Sequence, residues 1–218
     1  SDACRMQMAS VVYELKDSVK YVAGSEENVM GRGSDYRLLL SRLTDNPAAG
    51  PKEAALAAVD AYAGRQSYAA AAGLPALASA IYAPAMEGLA SRLRLWVDAV
   101  MAANEGRALY RAKDEALSFR DRGVNSFYSD SRDLYHFIEL VVQESQSAEV
   151  RGAGAELLRY ISADLVAGNQ VVSVKYEKAR GVAIYISNRQ HDPAYEQLRW
   201  AQDTGWPRFL DWLVDNAR

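Results

Sequence analysis

The strongest constraint on the fold is an apolar repeat in the middle of the chain. Five apolar residues recur at positions i, i+3, i+4, i+7 and i+8, which is the spacing of one face of an α-helix. The residues are Leu134, Phe137, Ile138, Val141 and Val142. After Gly168 the period changes, and two β-branched runs, Val171–Val174 and Val182–Ile186, predict strands of one sheet. The fold therefore needs both helices and strands.

The rest of the chain is predicted to be mostly helical, with a strand around Tyr68 within 65–72 and a polar loop over 120–130. Leu157, Leu158, Ile161 and Leu165 continue the helical pattern after the central helix. We predict further helices over Met8–Val19, Tyr36–Leu43, Pro51–Ala63, Leu74–Ala103, Asn104–Phe119 and Ala194–Asn216.

Length and charge restrict the class of protein. The 218 residues suffice for one sizeable domain. The formal net charge of -3 gives no basic footprint for nucleic acid. No stretch approaches the roughly 18 uninterrupted apolar residues that predict a membrane-spanning helix. We divide the chain into residues 1–45, which carry the candidate nucleophile, and residues 46–218, a mainly helical region packed on them.

Cys4, the only cysteine, is the candidate nucleophile. It lies one residue before the first amphipathic run, which places it at or near the N-terminal end of the predicted helix. Free backbone N–H groups and the helix dipole there favour a thiolate, the reactive form. The same amides could bind the oxyanion formed when a thiolate attacks a carbonyl. The alternative from position alone is an unreactive cysteine packed as a small hydrophobic residue.

Several short motifs occur in a fixed order along the chain. Near the start stand Asp2-Ala3-Cys4-Arg5-Met6, Gly24-Ser25-Glu26-Glu27 and Gly31-Arg32-Gly33-Ser34-Asp35-Tyr36. Further on stand Asp133-Leu134-Tyr135-His136-Phe137, Gly181-Val182-Ala183-Ile184-Tyr185, Tyr195-x-x-Leu198 and Thr204-Gly205-Trp206-Pro207-Arg208-Phe209-Leu210. Together they resemble the motifs of the clostripain family of caspase-like cysteine peptidases, over nearly the whole chain.

The resemblance implies an α/β fold: the C-terminal part of a caspase-like α/β/α sandwich, with a largely helical C-terminal extension that carries a short β-strand pair. It implies peptide or protein substrates and a His–Cys dyad in which Cys4 attacks. The family's catalytic histidine lies upstream of the cysteine, so we expect it from an N-terminal segment or a separate light chain. Family members can be cleaved into light and heavy chains, and the resemblance implies autoprocessing and a secreted or cell-envelope bacterial protein.

Substrate selection is where the sequence departs from the family. The resembling peptidases cut after arginine or lysine, using carboxylates to pair the substrate cation. By resemblance the substrate-binding candidates are Asp2, Ser25, Glu26 and position 32, where this chain has arginine. A guanidinium there would repel a basic side chain, unless Arg32 points into solvent. Glu26 or Glu27 could supply the missing carboxylate.

The two histidines and a metal site were weighed as further sources of chemistry. His136 lies in the central apolar helix, where a structural role is favoured over catalysis. His191 follows a predicted strand in a loop and is the candidate base if the family resemblance is set aside. No residues have metal-ligand spacing, so we expect no cofactor; calcium is kept as a possibility because clostripain itself is calcium-dependent.

Two alternatives to a peptidase remain at this point. The first is a catalytically inactive, peptidase-like binding or interaction domain, motivated by Arg32 and by the absence of a catalytic base in the chain. The second is an unrelated α-helical protein whose motifs match by chance, which predicts no parallel sheet next to Cys4.

Overall fold

A computed structural model describes residues 3–29, 33–71, 77–119, 130–187 and 190–216, with the backbone alone for 64–71. The helices are α1 (Ala9–Leu15), α2 (Tyr36–Asp45), α3 (Pro51–Ala71), α4 (Met86–Ala103), α5 (Gly106–Glu115), α6 (Leu134–Glu144), α7 (Ala148–Tyr160), α8 (Arg199–Thr204) and α9 (Trp206–Asp215). The strands are β1 (Tyr21–Gly24), β2 (Leu77–Tyr82), β3 (Ser131–Asp133), β4 (Val166–Val171) and β5 (Ala183–Tyr185). The fold is mixed α/β, as predicted, with a helical C-terminal region.

The larger sheet has three antiparallel strands in the order β1-β2-β4. The prediction that Leu74–Ala103 is helical is wrong for its first part, because β2 occupies Leu77–Tyr82. β2 is paired on both sides and buried at five of its six positions, so it shows no alternation of apolar and polar residues. A short apolar run of this kind cannot be told from a buried helix by its period.

The second sheet is the short pair β3 and β5, also antiparallel. The prediction that Val171–Val174 and Val182–Ile186 share one sheet is therefore wrong. Only Val171 of the first run belongs to β4, which pairs with β2, whereas the second run contains β5, which pairs with β3. Strand partners are chosen by contacts between distant segments, which the local period of a sequence does not contain.

The helix predictions are largely confirmed, including α6, which begins at Leu134 and is capped by the Asp133 side chain. Two bounds differ. α1 ends at Leu15, so Val19 lies beyond it and is 40% exposed. α3 continues to Ala71, so the strand predicted around Tyr68 is wrong, because the helix propensity of an alanine-rich run prevails there. Of the predicted loop over 120–130, residues 120–129 lie outside the described residues.

One hydrophobic cluster joins the beginning of the chain to its end. Val12 of α1 packs in the same core as Trp96 of α4, Phe137 of α6 and Phe209 of α9. The Trp96 ring meets Phe137 edge to face at 5.9 Å between ring centroids. Residues on both sides of position 45 thus share a core, and the division into residues 1–45 and 46–218 stays a prediction. None of the described helices is long and apolar enough to cross a membrane.

Candidate active site around Cys4

Cys4 lies in a turn ahead of α1 and is exposed. The turn includes residues 4–7, and α1 begins only at Ala9, so the prediction that Cys4 directly precedes the helix is wrong. Arg5, the next residue, has a φ angle of +57°. This left-handed conformation reverses the chain and is uncommon for a residue with a side chain. The turn, rather than the helix end, therefore presents the sulfur.

The Cys4 turn is fastened to the segment that follows β1. The backbone N–H groups of Arg5 and Gln7 donate to the carbonyls of Glu27 and Ser25, each at 3.2 Å. The Val29 N–H donates to Cys4 Sγ at 3.3 Å. We call residues 25–29 the support loop. Because three hydrogen bonds join it to the Cys4 turn, the position of the sulfur depends on the support loop.

The Arg5 side chain reinforces this attachment, and we call its contacts the Arg5 cluster. Its guanidinium donates through Nε to Asn28 Oδ1 at 3.1 Å and through Nη2 to the Phe119 carbonyl at 2.8 Å. Nη2 also lies 3.8 Å from the Glu27 carboxylate, whose side chain is 4% exposed. Tyr176 Oη donates to the same carboxylate at 3.0 Å. The cluster thus ties the turn to the support loop and to two distant segments.

The first residue of β5, Ala183, also contacts the segment that follows Cys4. Ala183 N–H donates to the Gln7 carbonyl at 2.9 Å, and Met8 and Ala183 form a parallel bridge. The Gln7 side chain is fully buried and donates through Nε2 to the carbonyls of Val22 and Ser79, at 3.1 and 2.7 Å. Gln7 therefore connects the Cys4 turn to β1 and β2.

A cavity of about 260 Å³ opens beside the support loop. Its walls come from the end of β1, the support loop, α2, α3 and β2. Ser25 and Val29 line it, so the residue that donates to Cys4 Sγ also forms part of the cavity wall. Val29 therefore lies between the cavity and the sulfur and contacts both.

Two buried acids meet where the support loop faces the interior, Glu26 of the loop and Asp133. Burial, and then the nearby charge of Asp133, raise the pKa of Glu26 well above its ordinary value. Burial raises the pKa of Asp133 to about 6, although the N–H groups of His136 and Arg180 donate to its carboxylate. The interaction between the two side chains raises the pKa of Glu26 and lowers that of Asp133, so Glu26 is the more readily protonated of the two. Gly181 N–H donates to the second oxygen of Glu26 at 3.1 Å.

This acid pair makes the stability of the fold depend on pH, and Glu26→Gln should weaken that dependence. Both pKa values are raised in the folded state, so the folded protein binds these protons more tightly than the unfolded chain does. The contribution of the pair to the free energy of unfolding is therefore complete below about pH 4 and is lost as the pH rises through 6. Glutamine keeps a donor for Asp133 but does not titrate. We expect the melting temperature to fall between pH 5 and 8, and to fall by several degrees less in Glu26→Gln.

Thermal melting of the complete protein at the two pH values measures this effect. Glu53→Gln, which neutralises an exposed carboxylate in the first turn of α3, is the matched control and should melt like the wild type. An equal fall in the wild type and in Glu26→Gln would show that Glu26 does not hold the proton.

Of the candidate substrate-binding residues that the structure describes, only Ser25 lines the cavity. Ser25 lines the cavity, although it is 2% exposed and its hydroxyl accepts from Glu27 N–H. Glu26 is 1% exposed and faces Asp133, so its carboxylate is not available to a substrate cation in this structure. Glu27 is likewise held in the Arg5 cluster. Asp2 and Arg32 lie outside the described residues.

The hydrogen bonds of the two histidines join them to residues other than Cys4. His136 Nδ1 accepts from Leu117 N–H at 3.0 Å, and burial lowers its pKa, which fits a structural role. His191 lies between Asp211 and Glu196, each at 2.9 Å. Burial opposes its protonation, but these two hydrogen bonds outweigh that effect and raise the pKa of His191. Within the described part of the chain, no group of three or more His, Cys, Asp or Glu could hold a metal ion.

Comparison with known proteins identifies the family. The model of the clostripain family matches residues 1–212. The chain belongs to the clostripain family. This match excludes the alternative of an unrelated helical protein. A comparison with curated protein sequences gives no match.

Solved structures of clostripain-family proteins share the fold. A secreted C11 cysteine protease from Bacteroides thetaiotaomicron, in complex with an irreversible peptide inhibitor, is 17% identical with a TM-score of 0.66. The alignment covers 95% of this chain and 58% of that one. An inactive zymogen C11 protease from Parabacteroides distasonis is 17% identical with a TM-score of 0.63, over 93% and 57% of the two chains. The chain thus spans less than two thirds of these relatives.

A third clostripain-family structure has a chain closer to this length. It is a clostripain from Bacteroides thetaiotaomicron in complex with the peptide inhibitor BTN-VLTK-AOMK, 14% identical with a TM-score of 0.57. The alignment covers 94% of this chain and 85% of that one. At these identities the three likenesses establish the fold alone.

The sequence did not reveal which residues support the Cys4 turn. Arg5 occupies the variable position of its motif, and Asp133 entered only as the first residue of the motif Asp133–Phe137. Gly181 adopts a φ of +98°, and a Cβ there would lie 2.9 Å from Ser79 Cβ. The one available signal was the motif containing Gly181, since a glycine directly before a buried strand often marks a close backbone approach.

Proposed function

We propose that the chain is the nucleophile-bearing part of a cysteine endopeptidase, with Cys4 as the attacking residue. The observation that carries this proposal is the position of the exposed Cys4 sulfur, which accepts from the Val29 N–H and lies beside a cavity. The chain also belongs to the clostripain family. An attacking sulfur must be reachable by substrate and yet fixed in place. The Cys4 turn and its attachment to the support loop meet both requirements.

The base would come from outside the described residues, as a histidine of an N-terminal segment or light chain. Both described histidines are engaged elsewhere in the fold. Longer relatives, of which this chain spans 58% and 57%, leave room for such a segment.

The chemical step is acyl transfer to sulfur. The histidine takes the Cys4 proton, and the thiolate attacks the scissile carbonyl carbon. The Cys4 N–H and an amide near the histidine would bind the oxyanion. As the C–N bond breaks, the histidine returns the proton to the leaving amine. Water then hydrolyses the thioester, releasing the acid and restoring the thiol.

Secretion and calcium dependence remain subsidiary proposals. The secreted relative from Bacteroides thetaiotaomicron supports export of this protein as well. The described residues contain no group of three or more His, Cys, Asp or Glu that could hold a metal ion, so any calcium site among them would rely largely on carbonyl oxygens. Cleavage assays with and without a chelator decide whether calcium is needed.

Covalent labelling tests the dyad directly. Because Cys4 is the only cysteine of these 218 residues, a thiol reagent reports on it alone among them. We expect iodoacetamide to modify Cys4 at least about tenfold faster in the complete protein than in the isolated chain. Replacing the upstream histidine with alanine should remove the difference, as measured by mass spectrometry over time.

The competing function is a non-catalytic binding domain, which the engagement of both described histidines favours. It predicts that Cys4 reacts no faster than free cysteine in the complete protein and that peptides bind without being cut. Equal labelling rates with and without the upstream part would therefore contradict the peptidase and support the binding domain.

A further inference from the structure

We infer that the buried carboxyl groups of Glu26 and Asp133 form a pH switch, which holds the Cys4 turn in place only while the pair keeps a proton. As a regulation of the same site, the switch rests on the proposed peptidase function. The two side chains belong to residues that are 1% and 0% exposed, so water does not screen their charges. The proposed reaction uses neither group, although burying an acid is costly.

Consecutive backbone N–H groups hold the two carboxyl groups in neighbouring positions. The Arg180 N–H donates to Asp133 Oδ2 at 2.6 Å, and the next one, that of Gly181, donates to Glu26 Oε2 at 3.1 Å. The His136 N–H also donates to Asp133, at 2.7 Å, which fixes this carboxyl group at the first turn of α6. Glu26 is therefore the member of the pair that lies on a loop.

Glu26 stands between the two residues whose carbonyls fasten the Cys4 turn. The Ser25 carbonyl accepts from Gln7 N–H and the Glu27 carbonyl accepts from Arg5 N–H, each at 3.2 Å. Because Glu26 belongs to the same stretch of backbone, a displacement of its side chain toward water moves both acceptors. The turn that presents the sulfur would lose its support.

A second path of buried hydrogen bonds joins the turn to the pair through β2. Gln7 Nε2 donates to the carbonyl of Ser79 at 2.7 Å and to its hydroxyl at 3.0 Å. This hydroxyl donates to the Gly181 carbonyl at 2.6 Å, and the N–H of Gly181 is the one that binds Glu26. The contacts close a ring, so a change at the acid pair reaches the turn from two sides.

The charged groups around the pair compensate it only in part. Arg180 is the cation that acts most strongly on both carboxyl groups. The ring of His136, on α6, accepts from a backbone N–H, and burial lowers its pKa, so it is neutral near pH 7. On the support loop, Glu27 is engaged in the Arg5 cluster. A second negative charge at the pair would therefore be poorly balanced.

The direction of the switch follows from this balance. Burial, and then the charge of Asp133, raise the pKa of Glu26 well above its ordinary value, and burial raises the pKa of Asp133 to about 6. At low pH the pair keeps a proton and stays buried. As the pH rises above 6 the last proton is lost, and the two like charges separate when Glu26 moves toward water with the support loop. The turn is thus held at low pH and released at high pH.

Glu26→Gln in the complete protein tests the switch, because glutamine keeps the shape and a donor for Asp133 but does not ionise. The matched control is Glu53→Gln, which removes an exposed carboxylate. The titration of the dyad itself contributes equally to all three proteins. We expect kcat to fall between pH 6 and pH 9 by at least about fivefold less in Glu26→Gln than in the wild type and the control. KM should change less than kcat, because the pair positions the Cys4 turn and does not contact the substrate.

Hydrogen exchange reports on the turn whether or not a peptide is cut. The N–H groups of Arg5 and Gln7 are bonded to the support loop, so they exchange when the turn leaves it. The amides of α4, in the main core, report any general loss of stability. After correction for base-catalysed exchange, we expect the rate at Arg5 and Gln7 relative to α4 to rise at least about tenfold from pH 6 to pH 9 in the wild type. In Glu26→Gln it should stay within about twofold.

The two measurements fail separately. A relative exchange rate that does not change with pH in the wild type would overturn the switch, even if Glu26→Gln did not fold. Equal falls in kcat in the wild type and in folded Glu26→Gln would also overturn it. If the exchange responds to pH as expected but no peptide is cut in a Cys4-dependent way, the proposed function fails while the response of the turn to pH stands.

Discussion

Replacing Cys4 with alanine in the complete protein should lower kcat/KM for peptide cleavage by about ten-thousandfold. Removing a nucleophile leaves only the oxyanion donors and substrate binding, which supply a small remainder of catalysis. The measurement is kcat/KM for cleavage of a fluorogenic peptide, with the melting temperature of each variant recorded in parallel. Because Cys4 is exposed, alanine should leave the fold intact.

Two comparisons make this result specific to the sulfur. Ser91→Ala removes an exposed hydroxyl on α4, far from any proposed role, and should retain full activity. Cys4→Ser keeps the size and a donor but has a much weaker nucleophile, so it should resemble Cys4→Ala. Activity within tenfold of the wild type in Cys4→Ala would rule out Cys4 as the nucleophile.

Arg5→Met should lower kcat by about 10- to 100-fold and reduce the free energy of unfolding by about 3 kcal/mol. The catalytic loss follows because an error of about 1 Å in the position of a reacting group costs on the order of a hundredfold. The loss of stability follows because the substitution leaves the buried Glu27 carboxylate without its cation, and breaking a buried pair costs about 3–5 kcal/mol. KM should change less than kcat, because Arg5 positions Cys4 and does not contact the substrate.

A double variant separates positioning from stability. In Arg5→Met with Glu27→Gln no uncompensated charge remains, so much of the stability should return. The Cys4 turn would still lack its guanidinium contacts to Asn28 and Phe119, so kcat should stay low. Recovery of kcat together with stability would show that Arg5 acts only through the fold. Urea unfolding and steady-state kinetics on the four proteins of this cycle provide the comparison.

Most helices could be predicted because the spacing of apolar residues within a short segment indicates a helix. The spacing from Leu134 to Val142 places one apolar stripe on α6, and its burial beside Trp96 follows from that stripe. β2 was missed because a strand paired on both sides has no polar face to reveal it. The partners of β4 and β5 were missed because pairing is a contact between segments that lie far apart in sequence.

The candidate site was predictable only in part, for a related reason. Cys4 was identified from residue type and motif, and its exposure agrees with a reactive role. Glu26 was predicted as a substrate carboxylate from the family resemblance and from the lack of a carboxylate at position 32. The fold instead buries it against Asp133, which lies 107 positions further along the chain. No local pattern tells a solvated acid from one that shares a proton in the interior.

By itself the sequence determined the family, the mixed α/β class and the central helix, and it singled out Cys4 as the candidate nucleophile. Those features depend on residue identity and short spacings, which fix helix faces and motifs. The tertiary structure alone decided that a left-handed turn rather than a helix end presents Cys4. It also decided that Arg5 holds this turn and that the nearby acids face inward. Each of these depends on which distant segments meet, and segments meet according to the packing of the whole chain.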